Sequence, residues 1–299
     1  MQPVWLTASD GARLFGRFYA GGEKAFCLCL HGLTRNSRDF EDFAPLLAER
    51  GHPVLALDMR GRGESAYASD PALYAFGTYH RDCLAWLDHF HVPQAVWIGS
   101  SMGGGISMMA GAMTPERVAG LILNDIAPEI DAQGVENIRK IAGKGRPIRS
   151  WADAARRCRD VNGHVHPLET SEAFWQAFAR RTHRQTGPES FRSDYDPAVL
   201  ASISGDISTD SRWKAFDLLQ KIPTLLVRGA QSELVTREIL EKMLTRNPNL
   251  DHVEVPDTGH TPLMTETVAL DAIINWFDQN GFPHQASAPT NPRQFWRKS

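Results

Sequence analysis

The stretch Ala95-Val96-Trp97-Ile98-Gly99-Ser100-Ser101-Met102-Gly103-Gly104 decides how the rest of the chain is read. Its first four residues are apolar and describe a short buried strand. Residues 106–110 continue as a helix. The chain must reverse between the two within a few residues. A residue at the tip of such a turn is pushed into strained dihedrals, and Gly99 and Gly103 supply the bare space that a close backbone approach requires. The tip side chain, Ser101, then stands at the helix N-terminus. There the Met102 N–H has no acceptor within the helix, and the helix dipole favours an anion.

On either side of this stretch the chain alternates strands and helices. Residues 4–9 and 13–20 alternate apolar and polar around Asp10-Gly11 and read as a β-hairpin. Residues 25–30 are a nearly continuous apolar run ending in His31-Gly32, which describes a strand buried on both faces. Phe40, Phe43, Leu46 and Leu47 fall at helical spacing. A second buried strand over 53–57 ends in Asp58, and Tyr79, Cys83, Trp86, Leu87 and Phe90 mark another helix. A further strand over 118–123 ends in Asn124-Asp125. Such alternation implies a mostly parallel central sheet with helices on both faces.

The rhythm breaks near Ile126. From there to about Phe216 the chain is helix-like without strands, and Ser150 with Asp153 resembles a capping box that opens a helix at Trp151. The α/β pattern resumes with a strand over 223–227, a helix over 237–245, a strand over 252–255 and a helix over 268–277. The reading is an α/β core over 1–126 and 217–282, a helical cap over 127–216, and a tail over 283–299 expected to be poorly ordered.

Composition narrows the partners. A chain of 299 residues can bury a large core, and a net charge of −3 offers no electrostatic case for nucleic acid or an anionic membrane. No apolar run approaches the length of a membrane span, and residues 1–5 lack the start of a signal peptide. The four cysteines are read as buried and reduced, in a cytoplasmic setting. A small molecule is the expected partner, with no cofactor and no metal. His164-Val165-His166 holds two histidines two apart, without the acidic company of a metal cluster.

The chain resembles the α/β-hydrolase superfamily, in the capped group that includes carboxylesterases, lactonases and C–C bond hydrolases. The resemblance runs from about Trp5 to Asn280. It is carried by His31-Gly32-Leu33, by Asp58-Met59-Arg60-Gly61-Arg62-Gly63-Glu64-Ser65, by the Gly99-Ser100-Ser101-Met102-Gly103 elbow and by Gly259-His260. It implies Ser101 as nucleophile, His260 as its base, and the N–H groups of Leu33 and Met102 as oxyanion donors. His31 is expected to hold its loop, and the segment from Arg60 to Ser65 to be structural.

The acid departs from the family's common pattern. That pattern puts an Asp three residues after a Gly at the end of the penultimate strand. Here Gly229-Ala230-Gln231-Ser232-Glu233 puts Ser232 there. A neutral serine cannot stabilise an imidazolium as a carboxylate does. Asp125, at the end of the strand after the elbow, is the favoured substitute, and Glu233 is the alternative. The expected activity is hydrolysis of a carboxylic ester or lactone through an acyl-enzyme. A C–C bond hydrolase, an amidase and a non-turnover ligand receptor are the rivals. Trp151, Phe174, Trp175, Phe178, Phe191, Tyr195 and Trp213 suggest an aromatic-lined pocket, with Trp151 and Trp175 as substrate contacts and Arg35 placed to meet a substrate carboxylate.

Overall fold

The computed structural model describes residues 1–131, 147–204 and 208–282. The expected tail and residues 132–146 of the expected cap lie outside the described residues. Ten strands are described: β1 (Gln2–Thr7), β2 (Arg13–Tyr19), β3 (Cys27–Leu30), β4 (Val54–Asp58), β5 (Ala95–Ser100), β6 (Val118–Asn124), β7 (His183–Gly187), β8 (Ser190–Ser193), β9 (Thr224–Gly229) and β10 (Leu250–Val255). Eight of them form one sheet in the order β1-β2-β4-β3-β5-β6-β9-β10. The β1–β2 hairpin and the β2–β4 pair are antiparallel, and every other pair in the sheet is parallel. This is the α/β-hydrolase fold.

Burial on both faces explains the apolar runs of the central strands. Leu28, Leu30, Trp97, Leu121 and Leu123 point to one face, where Trp86, Ile106 and Ala110 cover them. Cys27, Cys29, Val96, Ile98 and Ile122 point to the other, where Phe43, Leu47, Ile273 and Trp276 cover them. All four cysteines are free and buried. No helix among the described residues is long and apolar enough to cross a membrane.

The insertion between β6 and β9 departs from the strand-free reading. Its helices Trp151–Asn162 and Glu172–Thr182 pack through Ala154, Ala155, Cys158, Trp175 and Phe178, but they are followed by the antiparallel hairpin β7–β8. The sequences His-Arg-Gln-Thr-Gly and Ser-Phe-Arg-Ser of that hairpin are mostly polar, so no apolar alternation marks them. The insertion is clamped to the core through polar contacts. Asp194 is buried and accepts from Arg38 and Arg184, Asn36 Nδ2 donates to the Arg181 carbonyl at 2.8 Å, and Tyr74 donates to Asp196 at 2.6 Å.

Backbone packs closely on backbone where β5 turns into the helix Met102–Met113. A Cβ on Gly103 would stand 2.1 Å from the Leu30 carbonyl oxygen, and one on Gly99 would stand 2.3 Å from the Gly103 carbonyl carbon. The helix therefore crosses the strands at backbone contact distance, which only glycine permits. Gly103→Ala must push this helix off β3. It is expected to lower stability by about 1–3 kcal/mol, read as a lower urea midpoint. An unchanged midpoint would contradict the close crossing.

Candidate active site

Ser101 occupies the tip between β5 and the helix Met102–Met113, with φ 50° and ψ −114°. A positive φ is strained for a residue with a Cβ. Here the surrounding frame holds it: the Ser101 N–H donates to the Asn124 carbonyl at 3.0 Å, and the helix begins at the next residue. Met102 is the first residue of that helix, so its N–H has no carbonyl one turn back to receive it. The His31-Gly32-Leu33 loop lies alongside, because a Cβ on Gly32 would come 3.8 Å from Ser101 Cβ. Leu33, from that loop, and Met102, from the first turn of the helix, thus flank Ser101.

His260 follows β10 and turns its ring between two side chains. Its Nε2 lies 3.0 Å from Ser101 Oγ, and its Nδ1 lies 2.7 Å from Asp125 Oδ2. Asp125 is fully buried, at the residue after β6, with φ 54°. Aspartate tolerates that left-handed conformation better than most residues. Its Oδ1 accepts from the Gly229 N–H at 3.0 Å, and its Oδ2 also accepts from Ser232 Oγ at 2.6 Å. The ring nitrogen facing Asp125 must therefore be the protonated one, since a carboxylate accepts and cannot donate. Nε2 is left with a lone pair facing the Ser101 hydroxyl.

Of the two carboxylates weighed from sequence, Asp125 meets the histidine. Glu233 is exposed at the cavity rim. Ser232, in the position where the common pattern has an Asp, donates its hydroxyl proton to Asp125 and accepts from the Val235 N–H at 3.1 Å. The serine in the place of the common pattern's acid is a brace for the carboxylate at the end of the neighbouring strand. Asn124 is a second brace that sequence reasoning passed over. Its Nδ2 donates to Ser100 Oγ at 2.9 Å and to the Pro262 carbonyl at 2.8 Å, which joins the elbow to the loop of His260.

The loop residues behave as the sequence reading expects. His31 is fully buried, with Nδ1 on the Gly32 carbonyl at 2.7 Å and Nε2 accepting from the Met59 N–H at 3.0 Å. Both nitrogens are committed to backbone, so His31 holds the loop. Burial, reinforced by the Arg62 charge, pushes its pKa down to about 3. Arg62 is itself fully buried. Its Nε donates to the Leu33 carbonyl at 2.9 Å, its Nη1 to the Arg60 carbonyl at 2.7 Å and to the Tyr79 hydroxyl, and its Nη2 approaches Met102 Sδ at 3.4 Å. One guanidinium thereby ties together the two residues that flank Ser101. Asp58, also buried, accepts from the N–H groups of Ser37 and Glu64 at 2.7 and 2.8 Å.

These side chains open into a cavity of about 820 Å³ between the sheet and the insertion. Its lining includes Ser101, His260, Leu33, Phe178, Phe191 and Tyr195. Trp151 and Trp175 are not among the described residues that line it, which corrects their expected role as substrate contacts. Trp175 is buried between the insertion helices, 5.6 Å from the Phe178 ring, with Nε1 donating to the Glu169 carbonyl at 3.0 Å. Trp151 stacks edgewise on Phe191 at 4.9 Å, under the Arg180 guanidinium. Arg35 does line the cavity, but Asp39 accepts from its Nε at 2.7 Å and its Nη2 at 2.7 Å, and it lies over the Phe178 ring.

A family model described as the alpha/beta hydrolase fold matches residues 28–267, spanning the sheet from β3 onward and all the residues above. The chain belongs to the α/β hydrolase family. The hydrolase is 29% identical over 261 residues to the 3-hydroxybutyrate-oligomer hydrolase of Cupriavidus necator, a match covering 84% of this chain and 87% of that one. It is 27% identical over 279 residues to the 2-(acetamidomethylene)succinate hydrolase of Mesorhizobium japonicum, covering 86% and 89%. Among solved structures, an alpha/beta hydrolase from Novosphingobium aromaticivorans superposes with a TM-score of 0.86 at 35% identity, over 93% of this chain and 98% of that one.

Three histidines around the site are held neutral. Burial lowers His31 to about 3 and both His166 and His183 to about 4, each from 6.5. The unfolded chain therefore binds more protons than the native one as pH falls from about 6.5 towards 4, and these groups withdraw stability over that window. Burial raises the Asp58 and Asp82 carboxyls, which act in the opposite sense. Nitrogen NMR of the hydrolase at pH 5 should find all three imidazoles neutral. Imidazolium signals from them at that pH would contradict the burial.

Proposed function

We propose that the hydrolase cleaves a carboxylic ester or lactone through an acyl-enzyme on Ser101. The observation that carries this is the continuous hydrogen-bond chain from Ser101 Oγ to His260 to the buried Asp125, opening into a cavity of ligand size. A serine hydroxyl is a weak nucleophile at neutral pH and needs such a base. As Ser101 Oγ bonds to the carbonyl carbon, its proton passes to His260 Nε2. The carbonyl oxygen becomes an oxyanion held by the N–H groups of Leu33 and Met102, at the positive end of the helix Met102–Met113. Collapse breaks the C–O bond to the leaving group, and His260 returns the proton to the departing alkoxide. A water then gives a proton to His260 and attacks the acyl carbon. The second collapse breaks the bond to Oγ, reprotonates Ser101 and releases the acid.

Asp125 keeps His260 in the productive tautomer and stabilises the imidazolium that forms in each half. The named relative that hydrolyses 3-hydroxybutyrate oligomers favours the ester reading. The insertion serves as a cap over the pocket, supplying Phe178, Phe191 and Tyr195 to its wall. Four buried free thiols favour a reducing compartment such as the cytoplasm.

Ser101→Ala is expected to cut hydrolysis of p-nitrophenyl esters by about a million-fold and to abolish fluorophosphonate labelling. Labelling of Ser100 instead would overturn the assignment. Asp125→Asn leaves a neutral amide that permits the wrong tautomer, and kcat should fall by about a hundred- to ten-thousand-fold with little change in KM. Glu233→Gln should cost less than about tenfold, because no step above uses it. The reverse ranking would move the acid to the later loop.

A further inference from the structure

The cavity wall opposite the sheet is basic. Three arginines line it: Arg35, Arg157 and Arg181. Two of them are already matched. Arg35 is held by Asp39, and Arg181 Nη2 is paired with Asp42 at 2.5 Å. Arg157 is different. It projects from the insertion helix Trp151–Asn162, is half-buried in the cavity lining, and has no carboxylate partner among the described residues. A half-buried guanidinium is partly stripped of water, and its planar fork is built to bind a carboxylate through paired hydrogen bonds.

Its neighbours cannot neutralise it. Cys158 Sγ meets Thr182 Oγ1 at 3.5 Å, and burial raises that thiol, so it is not a thiolate. His166 and His183 line the same wall and are neutral for want of solvent, with the Arg35 charge acting on both and the Arg157 charge adding to the effect on His183. The lining near them mixes apolar Val161, Val165 and Phe178 with the uncharged side chain of Asn162 and with His164, and none of these carries a negative charge. A wall that carries an unmatched positive charge and faces Ser101 favours a ligand with a negative end.

We propose that Arg157 binds a carboxylate of the substrate, so that the ester cleaved at Ser101 is one that also carries a free carboxylate. This rests on the acyl-enzyme reading above and adds the substrate class to it. The carboxylate can belong to the acyl part or to the alcohol part of the ester. Both present the same group to Arg157, and the two are separable by experiment. The sequence does not mark this residue, because an arginine on an amphipathic helix reads as part of a solvated face.

The test compares charged esters with their neutral counterparts. Mono(4-nitrophenyl) adipate against 4-nitrophenyl hexanoate probes a carboxylate in the acyl part. 3-Acetoxybutyrate against its methyl ester probes one in the alcohol part. For at least one pair, wild-type kcat/KM should favour the charged ester by about tenfold or more, and the pair that shows it identifies the side. Arg157→Gln should erase that preference mainly through KM, and Arg157→Lys should restore part of it. A binding measurement removes the dependence on turnover. Titration of the same charged esters into the Ser101→Ala protein should show binding at least about tenfold tighter than in the Ser101→Ala, Arg157→Gln double variant. Neutral esters cleaved as fast as both charged ones, or equal binding in the two proteins, overturns the proposal and leaves the serine mechanism standing. Loss of all ester cleavage with Arg157-dependent binding retained overturns the mechanism and leaves the anion site standing.

Discussion

The site depends on one fully buried carboxylate. Asp125 sits where β6 ends beside β9, and its two oxygens accept from the Gly229 N–H, the Ser232 hydroxyl and the His260 ring. Burying a charge is costly unless hydrogen bonds replace the lost water. Here a backbone amide of the adjacent strand and a serine of the following loop do so. The carboxylate therefore cannot drift, and the imidazole that it holds cannot turn. Every other feature of the site, from the strained Ser101 turn to the loop of His260, is arranged around that anchored ring.

The anchoring is distributed. Asn124, one residue before Asp125, ties the elbow to the loop of His260, so Ser101 and His260 sit on one connected frame. Arg62 does the same on the other flank of Ser101 by bridging the Leu33 carbonyl and the Met102 thioether. Neither side chain touches a substrate in this scheme. Both act by holding in place the groups that must meet at hydrogen-bond distance for a proton to pass.

The sheet was legible in the sequence because burial on both faces leaves long apolar runs, and because Gly99 and Gly103 bracket a serine where backbone must cross backbone. The places of Ser101 and His260 were legible because each lies in the turn that follows a strand. The choice of carboxylate was legible only in part, since the sequence favours Asp125 and leaves Glu233 open. Whether Asp125 or Glu233 reaches His260 depends on which strand lies beside which, and the pairing of β6 with β9 joins residues about a hundred positions apart. The order of strands is a three-dimensional fact that periodicity does not carry. The same limit explains Trp151 and Trp175. Helical spacing says that a ring is buried, but not whether it faces the pocket or the second helix of the insertion. The hairpin β7–β8 escaped notice because its strands are mostly polar and show no apolar alternation.

The central claim is that Ser101 becomes covalently acylated during turnover. Protein quenched in acid during steady-state cleavage of a p-nitrophenyl ester, then digested and weighed by mass spectrometry, tests this directly. The account predicts the acyl mass on the peptide that contains Ser101, with none on the same peptide of Ser101→Ala. An acyl group found on another residue, or full activity in Ser101→Ala, would contradict it.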